Sequence, residues 1–187
     1  MKVMTIKTTL RGREFVFETK AGLFSKDHVD PGSLLLVENV EVRDGDVVVD
    51  LGCGWGAIGL AMAGLTPRGK VYMVDTDIRA VEYSQRNARL NHIENVVIVA
   101  SDGFANLPLG LKCELVVSNP PSHTPKETII EFIEGAKDRL SKGGKLYFVT
   151  ERRIAPMVKR EFEKVFGDYE VVGTKLQYCL SLAQKYD

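Results

Sequence analysis

The chain reads as an α/β domain built on a mostly parallel sheet with helices on both faces, and three observations predict it. Short β-branched runs without polar alternation recur at Val47-Val48-Val49, Val71 to Val74, Val96-Val97-Ile98-Val99 and Leu115-Val116-Val117. Such runs mark strands covered on both faces, as parallel strands are. Helical patterns separate them, most plainly over Glu127 to Leu140, where Ile129, Phe132, Ile133, Ala136 and Leu140 share one side. Finally, the first run is followed at once by Asp50-Leu51-Gly52-Cys53-Gly54-Trp55-Gly56, a glycine-rich turn that leads into a helix. That turn would hold helix N-terminal amides at the carboxyl edge of the sheet, where open α/β sheets bind nucleotides and their relatives.

The elements follow in order. Residues 3–8 and 14–19 alternate, with Val3, Thr5 and Lys7, then Phe15, Phe17 and Thr19, around the turn signal Leu10-Arg11-Gly12-Arg13. They predict a β-hairpin extension over residues 1–20, ahead of a main domain over 21–187. Lys2, Lys7, Arg11, Arg13, Lys20 and Lys26 make this segment basic, either as a solvated face or as a rim that meets a polyanion. Ser33 is expected to cap a short helix from Leu34 to Glu38. After the glycine turn, a helix from Ala57 to Ala63 ends near Gly64 and Pro67, and the Val71–Val74 strand closes on Asp75. Asp77 is suited to cap a helix from Ile78 to Leu90. The strand of Leu115 to Ser118 stops at Asn119-Pro120-Pro121, since two prolines cannot continue a ladder. Beyond the Glu127–Leu140 helix come a strand from Lys145 to Thr150, a helix with Pro156 in its first turn that runs to Phe166, and two closing strands at Tyr169–Thr174 and Gln177–Ala183.

Composition narrows the classes. The chain has 187 residues, 44% hydrophobic and 27% charged, with Lys+Arg and Asp+Glu balanced at 25 each. That length suits one well-buried domain. No apolar run approaches the ~20 residues needed to span a bilayer, and the first residues lack the apolar core of a signal peptide, so a cytoplasmic protein is expected. Cys53, Cys113 and Cys179 stand far apart and His28, His92 and His123 are the only histidines, so neither a disulfide framework nor a metal site is expected. The neutral balance gives no support to nucleic-acid binding by charge alone.

Two nucleoside ligands compete for the glycine turn. Gly52, Gly54 and Ala57 satisfy one form of the dinucleotide spacing, so spacing does not exclude NAD. Asp50, just before the turn, would repel a pyrophosphate but attract a cationic ammonium or sulfonium group. Asp75, roughly 20 residues past the turn, suits paired ribose hydroxyls and serves either ligand. The stretch Val48 to Gly56 closely resembles the first motif of class I S-adenosylmethionine (SAM)-dependent methyltransferases. The resemblance implies SAM as cofactor and a Rossmann-like, seven-stranded sheet whose last strand is antiparallel. It also implies that Asp50, Gly52, Gly54, Gly56, Asp75 and Asn119 bind the cofactor. Asp102 would bond the adenine amino group in that family; as a residue of this sequence it could equally cap a helix.

The prolines after Asn119 pin it at the sheet edge. Its side-chain oxygen and the Pro120 carbonyl could each accept a hydrogen bond from one exocyclic amino group, which would aim the nitrogen lone pair at a sulfonium methyl. Asn119-Pro120-Pro121 resembles the catalytic motif of methyltransferases that act on planar amino groups of adenine, guanine or glutamine. Gly22-Leu23-Phe24-Ser25 and Asp30-Pro31-Gly32-Ser33 resemble the segment that closes over the SAM pocket in bacterial small-subunit rRNA guanine-N2 methyltransferases. The resemblance implies catalytic roles for Asn119, Pro120, Pro121 and His123, with substrate contacts from Phe24, Ser122 and His123. The substrate implied is small-subunit rRNA, with no membrane or metal, and the chain corresponds to the catalytic half of those enzymes. It leaves monomer and homodimer both open. His123 could touch the base, take the released proton, or be a hydrogen-bonded loop residue. One position departs from the family. Ser122 replaces the usual aromatic, so a base-stacking contribution of ~1–3 kcal/mol must come from elsewhere, with Phe24 and Trp55 as candidates. Three rival functions remain: a protein glutamine N5 methyltransferase, a silent SAM- or RNA-binding module, and an NAD-dependent oxidoreductase. The last lacks a Tyr-x-x-x-Lys or similar pair.

Overall fold

A computed structural model describes residues 2–187. Their elements are β1 (Val3–Leu10), β2 (Arg13–Lys20), α1 (Pro31–Asn39), β3 (Val47–Leu51), α2 (Ala57–Leu65), β4 (Lys70–Asp75), α3 (Ile78–Leu90), β5 (Val96–Ala100), β6 (Cys113–Ser118), α4 (Lys126–Arg139), β7 (Leu140–Glu151), α5 (Ala155–Phe166), β8 (Glu170–Lys175) and β9 (Tyr178–Gln184). β1 and β2 pair as a separate hairpin, and the other seven strands form one sheet in the order β5-β4-β3-β6-β7-β9-β8. β3 to β7 run parallel, and β9 lies antiparallel to both of its neighbours. This is the seven-stranded, Rossmann-like sheet that the strand pattern and the motif resemblance predict.

The topology fixes where a ligand can sit. From β3 the chain builds outward to β4 and β5, then crosses back to β6 on the other side of β3. A crevice opens at such a reversal, beyond the carboxyl ends of the strands. Register places Leu51 beside Val74 on one side and Ser118 on the other. The next residue of each strand or turn, Gly52, Asp75 and Asn119, is thereby brought to that crevice.

Side-chain alternation along β3 divides the core in two. Val48 faces α1, α2, α3 and the hairpin, while Val49 and Leu51 face α4 and α5. Asp50 shares the parity of Val48, so its carboxylate points beneath α2. On the other face, Phe162 is wholly buried with Phe148, Phe166 and Tyr169 around it at centroid distances of 6.2, 6.1 and 6.0 Å. Ile6, Leu10, Phe15 and Phe17 of the hairpin enter the same core as the glycine-turn helix. Two residues of the basic N-terminal set work internally: Arg11 donates to the Val37 and Val40 carbonyls, and Arg13 to that of Asn91.

Several expectations need correction. Helix α1 begins at Pro31, capped by Asp30 and not by Ser33: the Asp30 carboxylate accepts from the Ser33 amide at 3.1 Å. Pro31 fits the first turn because an N–H there would have no intrahelical partner. Helix α2 runs through Gly64 to Leu65. Strand β7 starts at Leu140, with a register shift before it resumes pairing at Lys145. Asp102 caps no helix, since residues 102–107 form only turns. Asp77 does cap α3, accepting from the Arg79 amide at 2.9 Å.

Candidate active site

The glycine turn is shaped by backbone angles that side chains resist. Gly52, Gly54 and Gly56 have φ of +71°, +56° and +107°, a region that glycine enters without steric cost. Their surroundings differ. A Cβ on Gly52 or Gly54 would meet nothing within 4 Å, whereas one on Gly56 would lie 3.1 Å from both Leu60 Cδ1 and Ser84 Oγ. Two glycines thus open a surface for a ligand, and the third lets the turn close onto the core.

Neighbouring elements hold the turn. The Val74 carbonyl accepts from the Gly52 and Cys53 amides, each at 2.9 Å. From α3, Ser84 Oγ donates to the Gly54 carbonyl at 2.7 Å and Asn87 Nδ2 to that of Trp55 at 2.8 Å. Asn87 also accepts from the Glu18 amide at 2.7 Å and donates to its carbonyl at 3.0 Å, which joins the hairpin to the turn. Trp55 is 4% exposed and packs on Phe17. Its indole N–H donates to the Phe24 carbonyl at 2.8 Å. It is therefore unavailable to stack on a base. Phe24 is 50% exposed and remains available.

The acidic groups fall into distinct settings. Asp75 accepts the Gly54 amide on one oxygen and the Asp77 amide on the other, both at 2.9 Å. Each oxygen keeps a lone pair for a hydroxyl. Asp50 is fully buried behind the turn, and neither oxygen meets a described donor in good geometry. Burial pushes its carboxyl up to about 7; the Gly59 amide partly opposes that rise and the charge of Asp75 adds to it. All three cysteines are free and buried. Cys53, in the turn itself, has its thiol pushed well up by burial and then by the charges of Asp50 and Asp75.

Three hollows lie around Asn119-Pro120-Pro121, two lined by Asn119 and two by Pro120. The largest, about 300 Å³, is lined by Gly52, Asp75, Asp102, Pro120, Pro121 and His123, at the low end of the range for small-molecule sites. A smaller one lies over the turn between Phe24, Gly52, Gly54, Asp30, Ser33 and Asn119. A third, on the far side of Asn119, is lined by Phe24, Pro120, Ser122, Thr150, Glu151 and Tyr178. His123 thus opens on the cleft of Asp75 and Asp102, apart from Phe24 and Ser122. Asp50 lies beneath the turn and lines none of the three. A wider groove of about 710 Å³ lies at the opposite edge of the sheet, where Lys145 pairs with Glu41 and Glu114 accepts from the Val47 amide.

Asn119 is 9% exposed. Its Nδ2 donates to Asp30 Oδ2 and to Ser33 Oγ, both at 2.9 Å. A carboxylate only accepts, so nitrogen must face Asp30 and the amide oxygen is left for a ligand. Sequence reasoning set Asp30 and Ser33 in the segment that resembles the one over the SAM pocket but missed their bonds to Asn119, and it missed Tyr178 altogether. The Asp-Pro pair was a legible capping signal, but nothing local marks Tyr178, which arrives from β9.

Residues 14–181 match the model of the methyltransferase small domain. The chain belongs to that family. It is 36% identical over 180 residues to the uncharacterized protein YbxB of Bacillus subtilis, covering 94% of this chain and 89% of that protein. It is 32% identical over 167 residues to the ribosomal RNA large subunit methyltransferase G of Shewanella denitrificans, covering 86% of this chain and 43% of that one. Among solved structures it resembles a T. thermophilus 16S rRNA N2 methyltransferase (RsmC) in complex with AdoMet and guanosine. That match has a TM-score of 0.87 and 28% identity, covering 98% of this chain and 50% of that one. The chain therefore spans about half the length of the two rRNA enzymes. Among the described residues no helix is long and apolar enough to cross a membrane, and no cluster of side chains could hold a metal.

Proposed function

We propose that this methyltransferase domain moves a methyl group from S-adenosylmethionine to an exocyclic amino group, with guanine N2 of ribosomal RNA as the acceptor. The orientation of Asn119 carries the reading: its amide nitrogen is engaged by Asp30 and Ser33, so its oxygen is the group offered to an incoming N–H. The similarity to rRNA methyltransferases supports the substrate class.

The residues present fit the cofactor. Gly52 and Gly54 leave open space over the turn, and Asp75 offers acceptors to ribose hydroxyls. Bound there, SAM would supply a methyl group on a positively charged sulfur, with a neutral thioether as the leaving group. Asp102 and His123, across the 300 Å³ cleft from Asp75, would contact the nucleoside part. The acceptor base would enter the hollow of Phe24, Ser122, Glu151 and Tyr178, where Phe24 replaces the missing stacking residue. Asn119 Oδ1 and the Pro120 carbonyl would accept the two amino protons and hold the lone pair in line with the methyl. Methylated nitrogen then releases one proton to water. Charge is neutralised as the methyl moves, so positioning in a closed site supplies most of the acceleration and no general base is required.

The reading is tested by incubating the protein with tritiated SAM and unmodified ribosomal RNA, then digesting the RNA to nucleosides for mass spectrometry. N2-methylguanosine is the expected product. Label in a protein fraction alone would favour glutamine as acceptor, and SAM binding without any incorporation would favour a silent module.

A further inference from the structure

Asp30 does more than cap α1. It is 6% exposed, and both of its oxygens are committed. Oδ2 accepts from the Ser33 amide at 3.1 Å and from Asn119 Nδ2 at 2.9 Å, while Oδ1 accepts from the Tyr178 hydroxyl at 2.9 Å. Ser33 Oγ takes a second hydrogen bond from the same amide nitrogen at 2.9 Å. Burial, with the hydrogen bond to Asp30 adding to it, pushes the Tyr178 phenol up to about 12, so that it stays a donor. Gly32 makes the closure possible: a Cβ there would stand 2.9 Å from Asp30 Oδ2 and 3.0 Å from the Tyr178 ring.

The network breaks a symmetry that Asn119 would otherwise have. A primary amide can turn over and exchange its donor and acceptor ends at little steric cost. With nitrogen held by a carboxylate and a hydroxyl, the turned-over form would set the amide oxygen against a carboxylate, acceptor against acceptor. We infer that Asp30, with Ser33 and Tyr178, is a positioning residue that locks Asn119 with its oxygen toward the acceptor amino group. This inference rests on the reading that Asn119 receives that amino group. The lock joins three elements distant in sequence, the start of α1, the end of β6 and the start of β9.

The experiment compares Asp30→Asn, Tyr178→Phe and Asn119→Ala with the parent protein. Asparagine also caps helices, so α1 keeps its start in the first variant, and the second removes a single hydroxyl. Methyl transfer to unmodified ribosomal RNA is measured together with SAM binding by calorimetry. The expected result is a kcat lowered about 100-fold for Asp30→Asn and about 10-fold for Tyr178→Phe, with SAM affinity and the KM for RNA within about threefold. If Asp30→Asn instead weakens SAM binding and leaves kcat intact, Asp30 serves the cofactor and the inference is overturned. If Asn119→Ala abolishes transfer while both network variants keep the parent kcat, the lock is dispensable although Asn119 is not. If Asn119→Ala keeps full turnover, the reading beneath the inference fails. A readout independent of any substrate is exchange of the Asn119 side-chain amide protons, followed by NMR on the protein alone. They should be protected in the parent and lose protection in Asp30→Asn; free exchange in the parent would show that no lock exists.

Discussion

Asp50 shows how much a single position can say and withhold. Its place near the end of β3, ahead of the glycine turn, marks the ligand class, yet it is a fully buried carboxylate with no good partner. Its folded pKa is raised from an ordinary 3.8 to about 7. Between those values the native protein keeps a proton that the unfolded chain has lost. Its contribution is therefore fully present below about pH 4 and lost as pH rises to about 7, by on the order of 4 kcal/mol. Asp50→Asn should remove that slope. Urea unfolding of both proteins at about pH 5 and about pH 8 checks it: the variant should gain stability over the parent at the higher pH, and an equal difference at both would contradict the assignment. Other single residues were legible to different depths. Asp77 was read correctly as a cap because its partner lies two residues away. Trp55 was read as a base-stacking candidate because its burial depends on Phe17, far off in the hairpin. The Asp30 cap was displaced onto Ser33 because Pro-Gly resembles a loop until its place in a first turn is considered.

At the scale of elements, the glycine turn keeps its shape through α3. Asn87 is wholly buried and makes three hydrogen bonds, two to the Glu18 backbone and one to the Trp55 carbonyl. Asn87→Ala would leave buried backbone groups without partners, each worth about 1–3 kcal/mol. A loss of at least about 2 kcal/mol is expected by urea unfolding, with weaker SAM binding as the turn loosens. A variant with unchanged stability would mean that water or backbone shifts replace those bonds. The parallel strands were legible because their β-branched runs are local. Their order, and the joining of the hairpin to α3 and its C-cap by Asn87 and Asn91, are long-range facts that no window of sequence contains.

The whole molecule is a sheet with a core on each face and the candidate site along one edge. The core on the α4 and α5 side is distinct from the one beneath the glycine-turn helix. Phe162→Ala, among Phe148, Phe166 and Tyr169, should cost about 3–5 kcal/mol and lower the thermal midpoint by roughly 10 °C, while SAM affinity measured well below that midpoint stays unchanged. Coupled loss of binding would show that the α5 face shapes the crevice. Fold class, strand count and the antiparallel closing strand were all readable from pattern and motif. Unreadable were the three hollows and the parting of His123 from Ser122, because adjacent residues in a turn can open on different clefts. The account as a whole depends on Asn119 acting on the acceptor and not on the cofactor. Its most direct test is the Asn119→Ala variant, with SAM affinity measured by calorimetry and methyl transfer to ribosomal RNA measured in a single turnover. The account predicts an affinity within about twofold of the parent and a transfer rate at least about 100-fold lower. Transfer at the parent rate would contradict it.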